Sequence, residues 1–274
     1  MLQFTKLHGL GNDFVMVDAI QQTMPADIKQ LAVEMNDRRF GVGGDGLILV
    51  LKGQNAPFKM RMLNPDGSES EMCGNGIRCF AKYVRDRGLT DVEVIQVETG
   101  AGVLELTIQG EGVRANMGRA KLLRGEIPMA GIANEPAKAF DFEAAGQNFA
   151  GTAVSIGNPH CVIFVPDAAA VPLEKWGSAV EHHSLFPNRV NTHFVQVVSP
   201  VELIQRTWER GAGATLACGT GACASLVAAF TNGLAGRKVT VHLPGGDLEI
   251  EYAEDGTVYM TGPAETVFDG NWEA

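Results

Sequence analysis

Short apolar runs in the chain follow the period of β-strands. Residues 14–17 and 47–51 are compact apolar runs, which are typical of buried strands. Residues 59–63 alternate between basic and apolar positions and end at the turn signal Asn-Pro-Asp-Gly of residues 64–67. Residues 194–198 form another apolar run in the second part of the chain. The pattern therefore predicts a protein rich in short strands.

Each part of the chain also contains one segment with the period of a helix. After Cys73, apolar residues recur at i, i+3, i+4 and i+7, and Gly88 is expected to end the helix. These apolar positions are Ile77, Phe80, Ala81 and Val84. Residues 222–230 form a second helical segment that is apolar nearly all round, so this helix should be buried.

Strand-like runs follow each predicted helix. Residues 92–97 and 102–108 predict a hairpin after the first helix. Residues 239–243 and 248–250 repeat this arrangement after the second helix. The order of elements predicts an α+β fold in which a strand-rich, barrel-like shell surrounds one central helix, and in which this unit occurs twice.

The sequence itself repeats. Cys-Gly-Asn-Gly at residues 73–76 recurs as Cys-Gly-Thr-Gly at residues 218–221, 145 residues later. A glycine follows each cysteine after 15 residues, at Gly88 and Gly233. Further matches in the same order join residues 11–15 to 157–162, and 112–118 to 256–262. Because the spacings agree within two residues, we interpret the chain as two homologous halves.

The repeat predicts two domains with the active site in the cleft between them. The first domain covers residues 1–118, and residues 263–274 are expected to pack back onto it. The second covers residues 119–262 and begins with a polar segment, near 119–149, that the sequence indicates is a connection plus an insertion.

Composition narrows the class of protein. Of the 274 residues, 45% are hydrophobic and 20% are charged, as in ordinary globular proteins. The formal net charge of −10 argues against partnership with nucleic acid or an anionic membrane. No apolar run approaches the ~18 residues needed to span a bilayer. The N-terminus lacks the pattern of a signal peptide and the five cysteines are an odd number, so we expect free thiols and a cytoplasmic location.

Two of the cysteines stand where a chain enters a helix. The glycines after Cys73 and Cys218 allow backbone N–H groups to approach a ligand, and a helix start attracts a carboxylate and lowers a thiol pKa. Two such thiols facing each other could remove a proton from one side of an α-carbon and return one to the other side. Alternatively, both motifs are only helix starts with core cysteines, as we expect for Cys79, Cys161 and Cys223.

Metal and nucleotide sites are not indicated. No two cysteines have the spacing Cys-x-x-Cys, and the histidines do not complete a zinc pattern. The loop at residues 41–46 formally fits a dinucleotide-binding fingerprint, but a strand-like run follows it where a helix is required.

Several motifs in order resemble the diaminopimelate epimerase family of cofactor-independent amino-acid racemases, over nearly all of the chain. The motifs are residues 8–14, 64–69, 72–79, 157–161, 189–191, 208–213, 217–222 and 243–246. The resemblance implies epimerisation of LL-2,6-diaminopimelate to the meso form in lysine biosynthesis, by a homodimer that needs neither pyridoxal phosphate nor metal.

The resemblance also implies roles for individual residues. Cys73 and Cys218 would be the acid/base pair, with Cys218 abstracting and Cys73 donating in the LL-to-meso direction. His160 and Glu209 would tune the two thiols. The residues implied to bind substrate are Asn12, Asn64, Gly74, Asn75, Asn158, Asn191, Glu209, Arg210, Gly219 and Thr220. Some relatives carry a substrate-contacting Gln where Gly46 stands, so Gly46 is not expected to contact substrate.

The residues alone also allow purely structural roles and other functions. Glu209 and Arg210 could be a surface ion pair, Asn12 a turn residue and His160 a hydrogen-bonded core histidine. Another paired-cysteine racemase, such as one like proline racemase, is the nearest alternative enzyme. A non-catalytic amino-acid-binding protein of the same fold is an alternative of a different class, although binding alone needs only the helix-start amides. A Cys-His hydrolase is weaker still, since no motif places a third orienting residue.

Overall fold

The computed structural model describes residues 1–273. Its first elements are β1 (Leu2–Gly9), β2 (Asn12–Asp18), α1 (Ile28–Asn36), β3 (Gly46–Lys52), β4 (Phe58–Leu63), β5 (Glu69–Ser70), α2 (Gly74–Asp86), β6 (Val94–Thr99), β7 (Gly102–Gln109) and β8 (Gly112–Arg119). They are followed by β9 (Phe140–Ala144), β10 (Gln147–Ser155), β11 (Pro159–Phe164), α3 (Leu173–Glu181), β12 (Asn191–Ser199), β13 (Glu202–Glu209), β14 (Gly213–Thr215), α4 (Gly219–Thr231), β15 (Lys238–Leu243), β16 (Gly246–Tyr252), β17 (Thr257–Pro263) and β18 (Glu265–Trp272). No helix in this part of the chain is long and apolar enough to cross a membrane.

The chain forms two compact units. Unit 1 contains Met1–Asn116 and the C-terminal segment that begins at Thr261, and unit 2 contains Met117–Met260. In unit 1, β2 pairs antiparallel with β1 and parallel with β3, and β4 pairs antiparallel with β3 and parallel with β6. In unit 2, β11 relates in the same way to β10 and β12, and β13 to β12 and β15. The expected α+β class, with one strand-rich shell repeated, is confirmed.

One strand in each unit comes from outside the repeated core. β18 lies at the C-terminal end of the sequence and pairs antiparallel with β1, while β9 pairs antiparallel with β10. The sequence analysis treated residues 119–149 as connection plus insertion and did not predict β9. Its alternating burial of Phe140, Phe142 and Ala144 is nevertheless the pattern of a strand with one face toward the core.

A central helix lies against the strands of each unit. α2 contacts β1, β2, β3 and β7, and α4 contacts β10 through β13, β15 and β16. Eleven of the 13 residues of α4 are buried, which confirms the prediction from its apolar sequence. Gly88 and Gly233 follow the two helices with φ of +65° and +74°, so the predicted end of the first helix at Gly88 is confirmed and the second helix ends in the same way.

Two shorter helices complete the units and were not predicted. α1 begins after Asp27, whose side chain accepts a hydrogen bond from the backbone N–H of Gln30 at 3.0 Å. It buries Leu31 and Met35 in the apolar cluster around β3. α3 packs on β12, β13 and β14. Each has only nine residues, and their apolar faces are narrow.

Candidate active site

The two repeated cysteines occupy the same position in the two units. Cys73 is the N-cap residue of α2, with extended backbone angles of φ −135° and ψ 120°. Cys218 is the N-cap residue of α4, with φ −120° and ψ 102°. Cys73 is half-buried, whereas Cys218 is 4% exposed. Each thiol therefore stands beside the first helical turn, where backbone N–H groups are available to an anion.

Amide side chains surround Cys73 in unit 1. Asn12 Oδ1 lies 3.7 Å from Cys73 Sγ and accepts a hydrogen bond from Asn75 Nδ2 at 3.0 Å. Asn12 Nδ2 in turn donates to Asp45 Oδ2 at 2.6 Å. Asn12 is thus held at the thiol by hydrogen bonds on both ends of its amide, and is more than the turn residue that its sequence context suggests.

A fully buried arginine lies behind the start of α2. Arg78 donates from Nη2 to Asn75 Oδ1 at 3.0 Å, from Nη1 to the Gly74 carbonyl at 3.1 Å and from Nε to the Pro263 carbonyl at 3.2 Å. These bonds fix the first turn of α2 and orient the Asn75 amide. The sequence analysis gave Arg78 no role. The sequence feature that could have indicated a role for Arg78 is its charge on the apolar face of a helix, between Ile77 and Ala81.

Charged side chains hold the strand end that carries Asn12. Asp13 pairs with Lys6 at 2.6 Å and with Arg38 at 2.6 Å, and Arg38 also pairs with Asp45 at 2.7 Å. Although burial raises it, the hydrogen bonds from Arg38 and Lys6 lower the pKa of Asp13 to about 2. The loop at residues 41–46 belongs to this network, and β3 follows it as predicted.

Asn64 and Gly46 lie close to each other's strands in unit 1, Asn64 directly after β4 and Gly46 at the start of the neighbouring β3. Asn64 follows β4 and donates to Ser68 Oγ at 2.9 Å within the predicted turn. The hydrogen bonds described for it thus stay within the turn and do not reach the Cys73 cluster. Gly46 is buried at the start of β3, where an added Cβ would lie 3.1 Å from the Leu63 carbonyl oxygen.

The surroundings of Cys218 in unit 2 are more closed. Thr220 Oγ1 lies 3.7 Å from Cys218 Sγ, and Asn158 Nδ2 donates to that hydroxyl oxygen at 3.3 Å. Asn158 Oδ1 lies 2.8 Å from Nε2 of His160. Unit 2 therefore brings together Cys218, Thr220, Asn158 and His160, four of the residues predicted from the sequence.

The ionisation of Cys218 differs from the expectation. The helix start was expected to lower the thiol pKa. Instead, burial and then the negative charge of Glu209 raise the pKa of Cys218 well above the ordinary value, against hydrogen bonds from Thr220 and the Gly221 amide that lower it. Desolvation outweighs the helix start here because the sulfur is almost completely enclosed. Glu209 is held in place by Thr215, whose hydroxyl donates to Glu209 Oε1 at 2.6 Å.

Arg210 and Asn191 meet through the backbone. The Arg210 N–H donates to Asn191 Oδ1 at 2.9 Å, and Asn191 Nδ2 donates to the Pro159 carbonyl at 2.9 Å. The exposed Arg210 guanidinium donates to the Asn188 carbonyl at 3.1 Å. Glu209 thus contacts Thr215, and Arg210 contacts Asn191 and Asn188, which differs from a simple surface ion pair.

A buried carboxylate supports the turn that carries Glu209 and Arg210, and the sequence analysis missed it. Glu181 accepts hydrogen bonds from Trp208 Nε1 at 2.7 Å and from the Gly211 N–H at 3.0 Å. Its side chain is 4% exposed and lies 3.6 Å from the Arg189 guanidinium. A glutamate at the end of α3 is ordinary in sequence, and only the folded chain brings it to this turn.

The other cysteines are enclosed in the core. Cys79, Cys161 and Cys223 are buried, and burial raises the pKa of Cys79 to about 12 and that of Cys161 further. The expectation that these are core thiols is confirmed by their burial.

One group in the described part of the chain has the residue types of a metal site. The ligand atoms of His160, His193 and Cys218 lie within 4.8 Å of one another. However, His160 Nδ1 and His193 Nε2 are 2.8 Å apart, which is a hydrogen-bond distance. Two nitrogens bound to one zinc at ~2.0 Å in tetrahedral geometry would be ~3.3 Å apart. The two rings are thus arranged as a hydrogen-bonded pair.

Comparison with known proteins places this arrangement in a family. The family model for diaminopimelate epimerase matches residues 4–123 and 152–267, which contain both cysteine motifs. The chain belongs to the diaminopimelate epimerase family. The diaminopimelate epimerase of Moorella thermoacetica is 53% identical over 277 residues, covering 99% of both chains. That of Desulfitobacterium hafniense is 54% identical over 277 residues, covering 98% of this chain and 97% of the relative.

Solved structures with low sequence identity share the fold. A PhzF-family phenazine biosynthesis protein from Bacillus anthracis matches with a TM-score of 0.71 and 18% identity, covering 98% of both chains. A hydroxyproline epimerase from Agrobacterium vitis matches with a TM-score of 0.67 and 15% identity, covering 98% of this chain and 90% of the other. This chain therefore shares its fold with a PhzF-family protein and with a hydroxyproline epimerase.

Proposed function

We propose that this chain epimerises LL-2,6-diaminopimelate to meso-2,6-diaminopimelate in lysine biosynthesis, with Cys73 and Cys218 as a two-base pair. One thiolate takes the α-proton from one face of the carbon while the other thiol gives a proton to the opposite face. In the LL-to-meso direction Cys218 abstracts and Cys73 donates, and the reverse reaction exchanges these roles. The reaction needs neither pyridoxal phosphate nor a metal ion.

One observation carries this proposal. A cysteine occupies the N-cap of the central helix in each of two units that share the same strand pairing. A protein that only bound an amino acid would need the helix-start amides but not a thiol at both starts. The repeat supplies two thiols at equivalent positions, as inversion of one carbon requires.

The substrate is held by the groups around the two thiols. The backbone amides of Gly74 and Asn75, and those of Gly219 and Thr220, bind the carboxylate at the reacting carbon. Arg210 offers a planar donor pair to the distal carboxylate, and Glu209 accepts from the ammonium group. The remaining amides that complete the polar site are Asn12, Asn64, Asn158 and Asn191.

Glu209 also acts on the proton of Cys218. The buried thiol is neutral at neutral pH, so a base must receive its proton before it can attack the substrate α-hydrogen. Glu209 is the carboxylate that raises the pKa of Cys218, through both charge and hydrogen bonding. We assign the acceptance of this proton to Glu209, and the stabilisation of the resulting thiolate to the side of the site that contains His160 and Thr220.

The protein is further proposed to work as a cytoplasmic homodimer. Within each chain the two domains, 1–118 with 263–274 and 119–262, each contribute one thiol. The odd number of cysteines supports a reducing compartment. Light scattering of the purified protein tests the dimer, and a mass of one chain, 29.2 kDa, would contradict it.

Incubation with LL-diaminopimelate in deuterated water tests the activity. We expect the α-proton signal to disappear as meso product carrying solvent deuterium accumulates, in protein treated with chelator and carbonyl reagents. Proline serves as the control substrate and should keep its α-proton. Exchange of proline instead of diaminopimelate would favour a proline racemase, and exchange of neither would favour an amino-acid-binding protein.

A further inference from the structure

A chain of polar side chains, all buried except the half-buried Asn158, extends from the interior of unit 2 to Cys218. Consecutive members are joined by hydrogen bonds and include His193, which the sequence analysis did not single out. The inner links are Ser225 Oγ to Gln205 Oε1 at 2.7 Å, Gln205 Nε2 to Thr207 Oγ1 at 2.8 Å and Thr207 Oγ1 to His193 Nδ1 at 3.0 Å. The two rings are joined from His193 Nε2 to His160 Nδ1 at 2.8 Å. The outer links are His160 Nε2 to Asn158 Oδ1 at 2.8 Å, Asn158 Nδ2 to Thr220 Oγ1 at 3.3 Å and Thr220 Oγ1 to Cys218 Sγ at 3.7 Å.

The imidazoles of His160 and His193 in this chain of hydrogen bonds are both neutral. His160 and His193 are completely buried. Burial lowers the pKa of His193 to about 3, and burial together with His193 and Arg210 lowers the pKa of His160 well below its ordinary value. Each ring therefore carries one proton, and its two nitrogens have opposite roles, one donor and one acceptor.

The inner end of the chain determines the proton of His193. Gln205 Nε2 can only donate, and it lies 2.8 Å from Thr207 Oγ1 and 3.3 Å from His193 Nδ1. The Thr207 oxygen accepts from this amide, and the two donors within reach of His193 Nδ1 are then the Thr207 hydroxyl and the Gln205 amide. His193 Nδ1 is thus an acceptor, and the proton of His193 is on Nε2.

The proton position of His160 is favoured from both sides, by Asn158 and by His193. Asn158 Oδ1 can only accept, so His160 Nε2 is the donor and His160 Nδ1 is the acceptor. The two results agree at the contact between the rings, where His193 Nε2–H donates to His160 Nδ1 across 2.8 Å. Because His160 Nδ1 accepts from His193 and His160 Nε2 already carries a proton, His160 has no nitrogen left to take a proton from Cys218.

The direction of the chain continues to the sulfur. Asn158 Nδ2 donates to Thr220 Oγ1, which leaves the Thr220 hydroxyl hydrogen available to Cys218 Sγ at 3.7 Å. A hydrogen bond donated to sulfur favours its thiolate form, which is the form that abstracts a proton. We propose that His193 is a positioning residue that keeps the proton of His160 on Nε2 and thereby directs the Thr220 hydroxyl to the Cys218 thiolate. The inference rests on the proposed acid/base role of Cys218.

Nitrogen-15 NMR of substrate-free protein labelled at its six histidines tests the proton positions. In the wild type we expect Nε2–H and unprotonated Nδ1 for both His160 and His193, with signals assigned from variants of each. His193→Gln should keep His160 in this form, because the Gln amide can donate from the position of Nε2. Thr207→Val retains both rings but removes the hydroxyl donor of His193 Nδ1, so the Nε2–H form of His193 should be less populated than in the wild type. A proton on Nδ1 of His160 in the wild type would overturn the proposal.

Kinetics separate positioning from packing. His193→Leu should lower kcat for diaminopimelate about tenfold with little change in KM, and His193→Gln should restore most of the loss. Thr207→Val gives the same comparison should the Leu variant not fold. Equal kcat for the wild type and Thr207→Val would contradict the positioning role. Since the NMR experiment contains no substrate, expected proton positions in a protein without epimerase activity would reject the proposed function instead.

Discussion

Two neighbours of Cys218 have opposite effects on its ionisation, and each can be removed separately. The charge of Glu209 raises the pKa of Cys218, whereas the Thr220 hydroxyl lowers it. Glu209→Gln should therefore lower the thiol pKa, and Thr220→Val should raise it. Thiolate absorbance against pH, measured in a Cys73→Ser background, gives both values. An increase in pKa in Glu209→Gln would show that the carboxylate does not face the sulfur.

Asp13 provides a pH-dependent contribution to stability. Its folded pKa of about 2 is below the ordinary 3.8, so its stabilisation is present above about pH 4 and is lost as the pH falls through 2. Asp13→Asn should cost about 1–2 kcal/mol of unfolding free energy at pH 7, and the cost should shrink below pH 4. Urea unfolding between pH 7 and pH 3 measures this difference. Asp86→Asn, which breaks an exposed pair with Lys82, is the control and should change little.

The two cysteine motifs were predictable at residue level because a distinctive tetrapeptide occurs twice. The residues that support them were not. Arg78, Asp45, Glu181 and His193 act through contacts with residues distant in sequence, such as the bonds of Arg78 to Pro263 and of His193 to His160. No local pattern distinguishes such a residue from an ordinary arginine or histidine.

At the level of elements, the third residue after each cysteine is a glycine in both helices, but the space around the two glycines differs. An added Cβ at Gly221 of α4 would lie 2.3 Å from Cε1 of His193, whereas at Gly76 of α2 the nearest atoms are Ile48 Cδ1 at 3.0 Å and Cys73 Cβ at 3.4 Å. Gly221→Ala must displace the imidazole and should cost about 1–3 kcal/mol. Gly76→Ala should stay within about 1 kcal/mol of the wild type, since an Ile methyl can move and Ala favours the helix. Thermal unfolding of both variants tests this; equal losses would contradict the tight packing of His193.

Element prediction succeeded where the apolar pattern was strong, and it missed the longer strands β1, β10 and β13 as well as several short elements. The strand β3, the central helices and their glycine ends follow directly from apolar runs and from Gly88 and Gly233. β9 was missed because the small and polar residues around it masked five residues of alternation. α1 and α3 were missed because nine residues give little more than two turns of pattern.

At the level of the whole molecule, the repeat in sequence is matched by a repeat in strand pairing, with β18 completing unit 1 beside β1. A duplicated unit provides two copies of one helix start, and sequence divergence has given them different surroundings. Cys73 is half-buried among asparagines, and Cys218 is enclosed beside a carboxylate and two neutral histidines. This difference suits two groups that act in turn as base and acid on one carbon.

The central claim is that each thiol serves one face of the α-carbon, and the Cys73→Ser and Cys218→Ser variants test it most directly with a 3-halo analogue of diaminopimelate. Elimination needs a single base: the thiolate takes the α-proton, the α,β double bond forms and halide leaves. Serine is a far poorer base at neutral pH, so both variants should lose epimerisation. Cys73→Ser, which keeps Cys218, should eliminate halide from the analogue with the L configuration at the reacting carbon. Cys218→Ser should process the D configuration. The same preference in both variants, or wild-type epimerisation by either one, would contradict the paired-cysteine mechanism.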